Sequence, residues 1–446
     1  MEKQGKMTTN DLIESNAPGK VTVIFGSNGS GKTQYAEQLR RQLASDSVRY
    51  LAFSDAYGPA TDRAYYLQLR WNQHDIDEET PTVGDLLDRA FMQAKGNSEQ
   101  LRQQLYRLFD MRPLLDKYVI LLSSGELRKF QLIKTLFASP KILILDNPYI
   151  GLDAHARGQL NELLPQLAKE QGIHLYLIVS RRNDIPDYAD DILNLEEKAA
   201  SSSTVDSLTK SQIILPPASL PVSSNDTVID MHHVTIRYGA RTILKDLNWM
   251  VKKGDRWAVS GCNGSGKSTL LSLVCADNPQ SYACDIALFG HSRGSGESIW
   301  EIKRRIGYVS PEMHRSYQRN LPAINVVASG LKDTVGLYVR PSETEKNICR
   351  AWLEIFGIAH LAERSFVSLS SGEQRLTLVA RAFVKSPELL VLDEPLHGLD
   401  DQNRELVRSI IEQYCKDSNK TLIMVTHYEE ELPSCINRRL TLEIHQ

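Results

Sequence analysis

Two short segments of this chain have the residue types and the spacing of a loop that binds phosphate groups. Residues 26–33 and residues 261–268 both fit the pattern G-x-x-x-x-G-K-[ST]. In such a loop the glycines let backbone N–H groups turn toward phosphate oxygens, the lysine adds a positive charge, and the last hydroxyl can reach Mg²⁺. The two matches predict two nucleotide-binding loops. Their residues are Gly26, Ser27, Asn28, Gly29, Ser30, Gly31, Lys32 and Thr33, and Gly261, Cys262, Asn263, Gly264, Ser265, Gly266, Lys267 and Ser268.

The sequence around each loop indicates the elements that position it. Strand-like apolar runs at 21–25 and 257–260 precede the loops, and helix-like patterns follow them. Further apolar runs of strand length alternate with longer helical patterns along the chain. These runs lie at 142–145, 174–179, 389–392 and 421–425. The alternation predicts an α/β fold with buried parallel strands. Ligands in such sheets bind at the carboxyl ends of strands, where both loops begin.

The second half of the chain repeats the first half in register. The run Leu-Ser-Ser-Gly-Glu at 122–126 returns at 369–373, and an apolar run ends in Asp146 in one half and in Asp393 in the other. The step from the second serine of the run to this aspartate is 22 positions in both halves, since 146 − 124 and 393 − 371 are equal. A repeat of this kind predicts two related domains.

The composition changes between the two halves. Over 199–227 the chain is rich in Ser, Thr and Pro, which is typical of a linker with little core of its own. We therefore predict a first domain over 1–198, a linker over 199–227 and a second domain over 228–446.

Charge and composition argue against several classes of protein. The 446 residues include 41% hydrophobic and 24% charged residues, and the net charge of −3 gives no overall basic field for nucleic acid. No apolar run approaches the ~18 residues that a membrane span needs, and the N-terminus lacks the apolar core of a signal peptide. The six cysteines show no C-x-x-C spacing, which favours reduced thiols. These features predict a cytoplasmic protein.

The order of the motifs resembles the ATP-binding cassette (ABC) family. In each half a phosphate loop, L-S-S-G-E, an apolar strand ending in Asp and G-L-D follow one another. The arrangement is most similar to the tandem ATP-binding proteins of the molybdate-transport type. The resemblance implies two tandem P-loop NTPase domains, each with a mostly parallel core sheet and a helical signature subdomain, and ATP and Mg²⁺ as cofactors. It implies as metal ligands Thr33, Asp146, Ser268 and Asp393.

The resemblance also implies that the two cassettes pair within the chain. Each nucleotide would then lie between the phosphate loop of one half and the signature run of the other half, where a helix N-terminus favours phosphate. The signature residues that would bind ATP are Ser124, Gly125, Glu126, Ser371, Gly372 and Glu373. Family members stack an aromatic ring on adenine, which predicts this role for Tyr238. Only 25 residues precede Gly26, so we expect the strands that would carry such a ring to be truncated in the first half.

The two sites are predicted to differ in catalysis. Glu394 follows Asp393 and is predicted to activate the attacking water, whereas Asn147 follows Asp146, and an amide cannot accept a proton at neutral pH. The resemblance assigns His427, after the next strand, to the γ-phosphate, and we predict Arg181 at the matching place in the first half. We therefore expect one competent composite site and one degenerate site that holds nucleotide. A different carboxylate serving the first site is the alternative.

Family members carry a glutamine after the strand that follows the phosphate-loop helix. In the second half no glutamine lies there, and Ser310 or Glu312 could replace it, while Gln68 is the candidate in the first half. A cluster of cations and aromatic rings lies nearby in the second half, and we interpret it as a solvated face or a docking surface rather than a nucleic-acid site. Its members are Trp300, Lys303, Arg304, Arg305, Tyr308, Arg315, Tyr317 and Arg319.

The function predicted from these features is ATP binding and hydrolysis that energises a membrane transport subunit in another chain. The protein would then be held at the inner face of the membrane. Two alternatives remain open. One is a soluble mechanical ATPase that acts on nucleic acid or ribosomes, and the other is an ATP-dependent regulatory switch without hydrolysis.

Overall fold

The computed structural model of the chain divides it into two compact units, Met1–Val205 and Asp206–Gln446. The residues that it describes are 18–42, 47–53, 81–94, 98–119, 122, 124–149, 152, 154–195, 213–216, 226–238, 241–262, 264–311, 313, 317, 320–337 and 339–444. The division between the units lies inside the Ser/Thr/Pro-rich segment. The bounds of the two domains and of the linker stay a prediction.

The first unit is built on a parallel sheet of five strands in the order β2-β3-β4-β1-β5. Its strands are β1 (Val21–Phe25), β2 (Val48–Ala52), β3 (Ile142–Asp146), β4 (His174–Val179) and β5 (Asp191–Asn194). Its helices are α1 (Lys32–Gln42), α2 (Val83–Gln93), α3 (Glu99–Leu108), α4 (Ser124–Leu136) and α5 (Ala154–Gln171). The central strands β1 and β4 are buried along their whole length, as strands covered by helices on both faces must be.

The second unit repeats this sheet and adds a second one. Its parallel sheet has the order β11-β12-β13-β8-β14, and an antiparallel sheet has the order β10-β9-β6-β7. The strands are β6 (Thr227–Tyr238), β7 (Arg241–Lys252), β8 (Arg256–Ser260), β9 (Asp285–Leu288), β10 (His291–Ser292), β11 (Ile306–Val309), β12 (Leu389–Asp393), β13 (Thr421–Val425) and β14 (Arg438–Thr441). The helices are α6 (Lys267–Val274), α7 (Ile299–Arg305), α8 (Ala323–Ser329), α9 (Glu343–Ile355), α10 (Ser371–Phe383) and α11 (Asp401–Tyr414).

The two parallel sheets have the same strand order, which confirms the tandem α/β fold. In the second unit α8, α9 and α10 pack around one apolar core, where the rings of Trp352 and Phe383 lie 5.4 Å apart. None of the helices in the described ranges is long and apolar enough to cross a membrane. The predicted truncation of the first half concerns residues 1–17, which lie outside the described residues. All six cysteines are free.

Candidate functional site

Both phosphate loops connect a central strand to the helix that follows it. In the second unit the loop joins β8 to α6, and its glycines Gly264 and Gly266 have φ angles of 84° and 94°, which residues with a Cβ rarely adopt. A Cβ on Gly266 would also lie only 2.9 Å from the side chain of Leu244. In the first unit Gly29 and Gly31 both have a φ of 83°. The backbone path of each loop therefore favours glycine at these four positions.

The lysine of each loop folds back into its own loop. Nζ of Lys32 donates to the carbonyl oxygens of Gly26 and Ser27 at 2.6 Å each. Nζ of Lys267 donates to the carbonyl oxygens of Gly261 and Cys262 at 2.6 and 3.0 Å. Both lysine side chains are buried. A positive charge is thus held inside each loop, at the place where phosphate is predicted to bind.

A buried hydroxyl in each loop is also consistent with an anionic ligand. Among the described residues, Oγ of Ser30 and Oγ of Ser265 have no hydrogen-bond partner. Buried polar atoms are normally satisfied, so these two indicate room for a further acceptor or donor at the same place in both loops. The residues present therefore fit a phosphate group. Asn263 and the side chain of Thr33 lie outside the described residues.

The predicted metal-ligating aspartates end equivalent strands. Asp146 ends β3 and Asp393 ends β12, and both side chains are buried. Ser268 is exposed in the first turn of α6. A hydroxyl and a carboxylate are oxygen ligands of the kind that Mg²⁺ prefers. Asp393 and Ser268 would hold the ion in the second unit, and these metal roles stay a prediction.

Asn147 and Glu394 occupy the same backbone position in the two units. Both have a left-handed φ, 52° for Asn147 and 49° for Glu394. The N–H of Asn147 donates to the carbonyl of Ile178 at 3.0 Å, and the N–H of Glu394 donates to the carbonyl of Val425 at 2.9 Å. The chain thus presents an amide in the first unit at the point where it presents a carboxylate in the second.

The carboxylate of Glu394 lies between two histidines. Nε2 of His427 is 3.0 Å from Oε1, and Nδ1 of His397 is 3.3 Å from Oε2. Burial alone would raise the pKa of Glu394, but the hydrogen bond with His427 and the charges of His397, His427 and Arg375 together hold this pKa below its usual range. The side chain is therefore ionised at neutral pH and able to accept a proton.

From its place in the motif alone, His397 is expected to lie close to the nucleotide with no role beyond packing, but the structure shows that it contacts Glu394. Its backbone N–H donates to the carbonyl oxygen of Glu394 at 3.1 Å, in addition to its side-chain contact with the same residue. It follows Glu394 by three positions and directly precedes Gly398 of the G-L-D motif. One tight turn brings the two side chains together. The three-residue spacing between Glu394 and His397 was therefore the signal in the sequence that could have indicated this contact.

The prediction that Arg181 matches His427 is wrong by one residue. In the parallel sheets Asp146 pairs with Ile178 and Asp393 pairs with Val425, so two residues after each partner come Ser180 and His427. The sequence spacing agrees with this register, since Ser180 follows Asp146 by 34 positions and His427 follows Asp393 by 34 positions. The buried Ser180 therefore takes the histidine's place.

The carboxylate of Asp146 is held by two donors of its own unit. The hydroxyl of Tyr50 donates to Oδ2 at 2.7 Å, and Nδ2 of Asn147 donates to Oδ1 at 2.9 Å. Burial raises the pKa of Asp146, while the hydrogen bond from Tyr50 and the charge of Lys32 oppose this rise. In the first unit Asn147 thus donates to the preceding aspartate. In the second unit Glu394, at the same position, contacts two histidines.

The signature residues begin α4 and α10, which we call the signature helices. At α10 the N–H of Ser370 donates to the carboxylate of Glu373 at 2.7 Å, and the N–H of Glu373 donates to Oγ of Ser370 at 3.4 Å. This capping box gives Glu373 a structural partner. Glu126 forms an ion pair with Lys117 at 2.9 Å. Ser371 is exposed and Gly372 is buried.

The ATP-binding roles of the signature residues stay a prediction. The side chain of Ser124 lies outside the described residues. Gly125 begins α4 together with it, and a Cβ there would lie 3.0 Å from Ala156.

Tyr238 ends β6 in the second unit and is partly buried. Its hydroxyl accepts a hydrogen bond from Nδ2 of Asn278 at 3.0 Å, and Asn278 also donates to Ser272 at 3.2 Å. Burial raises the pKa of Tyr238 and the hydrogen bond from Asn278 opposes this. The phenol is thus held at its polar end, and stacking of its ring on adenine stays a prediction.

Ion pairs neutralise much of the described part of the basic cluster. Lys303 pairs with Asp277, and both Nε and Nη2 of Arg305 donate to the carboxylate of Glu388 at 2.9 Å. Arg304 is exposed. Arg315 and Arg319 lie outside the described residues, as do Gln68 and Glu312. Ser310 follows β11 and is buried.

Comparison with known proteins gives matches in both halves of the chain. The family model for ABC transporters matches residues 10–150 and 244–397. The ABC transporter ATP-binding protein ModF of Escherichia coli is 36% identical over 453 residues, which cover 95% of this chain and 91% of ModF. An uncharacterized ABC transporter ATP-binding protein of Schizosaccharomyces pombe is 29% identical, with 94% of this chain and 91% of that protein covered.

A solved structure also has the tandem fold. A model of ribosome-bound archaeal Pelota and ABCE1 matches 95% of this chain and 72% of the compared chain, with a TM-score of 0.58 and 17% identity. At this identity the likeness concerns the fold alone.

Proposed function

Because this chain belongs to the ABC transporter family, as a tandem ATP-binding protein, we propose that its second unit hydrolyses ATP while its first unit binds nucleotide without turning it over. One observation carries the proposal. Glu394 and Asn147 stand at the same backbone position with the same left-handed φ, but only Glu394 carries a group that can accept a proton.

The chemistry of the second unit follows from the contacts of Glu394. Its ionised carboxylate takes the proton of the attacking water, and His427 and His397 hold its two oxygens in place. General-base help of this kind contributes about 10²–10⁴-fold in rate. Mg²⁺, when bound, offsets the charge of the phosphates. Lys267 adds a fixed positive charge at the phosphate position.

In the first unit the corresponding residues support nucleotide binding but not hydrolysis. Lys32 and the glycines of its loop repeat the phosphate cradle of the second unit. Asn147 donates to Asp146, and Ser180 stands where the histidine would be needed. We propose that this unit holds nucleotide while the second unit turns over.

We further propose that hydrolysis energises a membrane transport subunit in another chain. Support comes from the family and from the similarity to ModF, an ABC transporter ATP-binding protein. The pairing of Lys303 and Arg305 with acidic residues speaks against a nucleic-acid surface at the basic cluster. Action on nucleic acid or ribosomes is the other candidate role. The similarity to the ribosome-bound ABCE1 structure concerns the fold alone and does not support this role.

The proposal is tested with Glu394→Gln in a single-turnover assay. The change keeps the shape of the side chain and removes its basicity, so hydrolysis is expected to fall about 10²-fold or more. Binding of a fluorescent ATP analogue serves as the control and is expected to stay within about twofold. Hydrolysis at the wild-type rate in this variant would show that the first unit, or another carboxylate, carries the chemistry.

A further inference from the structure

The backbone around Glu394 is fixed by three hydrogen bonds. Its N–H donates to the carbonyl of Val425 at 2.9 Å, and its carbonyl oxygen accepts from the N–H of His397 at 3.1 Å and from Nη2 of Arg375 at 2.7 Å. A left-handed φ is unfavourable for a glutamate, so such a conformation persists only where its surroundings hold it. Arg375 is the one of these three partners that comes from a signature helix.

Arg375 connects the signature helix α10 to two strand ends. It is the fifth residue of α10, and its side chain is buried. Besides the carbonyl of Glu394, its guanidinium reaches the carbonyl of Ser310 at 3.3 Å through Nη1. Ser310 follows β11 and Glu394 follows β12, and these strands are neighbours in the sheet. Arg375 therefore links α10 directly to the residue that carries the base.

We propose that Arg375 is a positioning residue for hydrolysis, which ties the place of the Glu394 carboxylate to the signature helix of its own unit; this inference rests on the proposed function. Arg375 does not touch the reacting atoms. Its planar guanidinium holds the two carbonyl groups through two different nitrogens in a fixed geometry, which the single Nζ of a lysine does not reproduce. The carboxylate is thereby placed for proton transfer only when α10 is in place.

The first unit offers a matched control at the same position. Arg128 follows Gly125 by three residues, as Arg375 follows Gly372. Its guanidinium lies over the ring of Phe53, at 4.6 Å from the ring centre, and is buried as well. Because an amide follows β3 in this unit, the same substitution at Arg128 removes no contact that places a catalytic base.

The test compares Arg375→Met, Arg375→Lys and Arg128→Met in the full chain. For Arg375→Met we expect kcat to fall about 10²-fold, as for a misplaced catalytic group, with ATP affinity and the unfolding midpoint close to wild type. Arg375→Lys should give an intermediate kcat and serves as the test if the methionine variant does not fold. Arg128→Met is the control for hydrogen exchange and should leave the exchange rates of the amides 394–397 within about twofold of wild type.

Hydrogen exchange of the nucleotide-free protein gives a readout that does not depend on activity. In Arg375→Met the amides of the segment 394–397 should exchange at least about tenfold faster, because a charge-assisted hydrogen bond to their turn is lost. Unchanged exchange together with an unchanged kcat would overturn the inference. A parallel loss of ATP affinity and of the unfolding midpoint would also overturn it, since the role would then be structural. Failure of the proposed function would appear separately, as hydrolysis that survives Glu394→Gln.

Discussion

At the scale of single residues, the two units differ where one side chain follows a strand. Glu394 and Asn147 share their backbone conformation, and their own contacts separate them further, because Glu394 contacts His427 and His397 whereas Asn147 donates to Asp146. An inactive position with an intact backbone requires few changes to regain its chemistry. The first unit should therefore be repairable by side chains alone.

This leads to a prediction in the Glu394→Gln background, where hydrolysis by the second unit is removed. Asn147→Glu alone supplies a carboxylate without its histidine, so we expect little turnover. Asn147→Glu combined with Ser180→His supplies both groups and should raise single-turnover hydrolysis at least about tenfold above the single repair. Asn147→Glu with Arg181→His is the matched control, since Arg181 lies one residue beyond the register of His427. An equal gain with Arg181→His would contradict the assigned register.

At the scale of elements, the start of α10 contains a capping box that stabilises the helix and, next to it, Ser371, which is predicted to bind ATP. Ser370 and Glu373 cap the helix reciprocally, whereas the next residue, Ser371, is exposed. Ser370→Ala removes the cap and should lower the free energy of unfolding by about 1 kcal/mol. Ser371→Ala removes no such bond and should change it by less than about 0.5 kcal/mol. Urea denaturation of both variants checks this, and equal losses would show that the capping box does not stabilise the helix.

The helices and strands also show which features of the fold can be predicted from the sequence. The loops, the buried parallel strands and the repeat could be predicted because each depends on local pattern and on spacing within the chain. The contact of His397 with Glu394 could not, since it depends on the direction of a turn that starts from a left-handed residue. The prediction for Arg181 was wrong because the end of an apolar run does not define the strand register, whereas the pairing of β3 with β4 places Ser180 at the position of His427.

Contacts made across the sheet were also invisible in the sequence. Tyr50 binds Asp146 from the neighbouring strand, and Arg375 reaches Glu394 and Ser310 from a helix. Each of these pairs is separated by many residues along the chain, so no motif joins them. The sequence therefore provides candidate site residues, whereas the contacts that hold them in place are seen only in the structure.

At the scale of the whole molecule, the bound nucleotide should decide whether the protein stays bound to its partner. If hydrolysis resets the protein, a variant that binds ATP without hydrolysing it should stay bound to its partner. Affinity-tagged Glu394→Gln in detergent-solubilised cells, with ATP and Mg²⁺, is therefore expected to retain a polytopic membrane protein that wild type retains less. Adding Lys267→Ala removes the lysine of the second phosphate loop and should abolish the gain, because the second unit then loses its nucleotide. Retention of ribosomes or DNA that falls steeply with salt, in place of a membrane protein, would contradict the transport role and favour a mechanical ATPase.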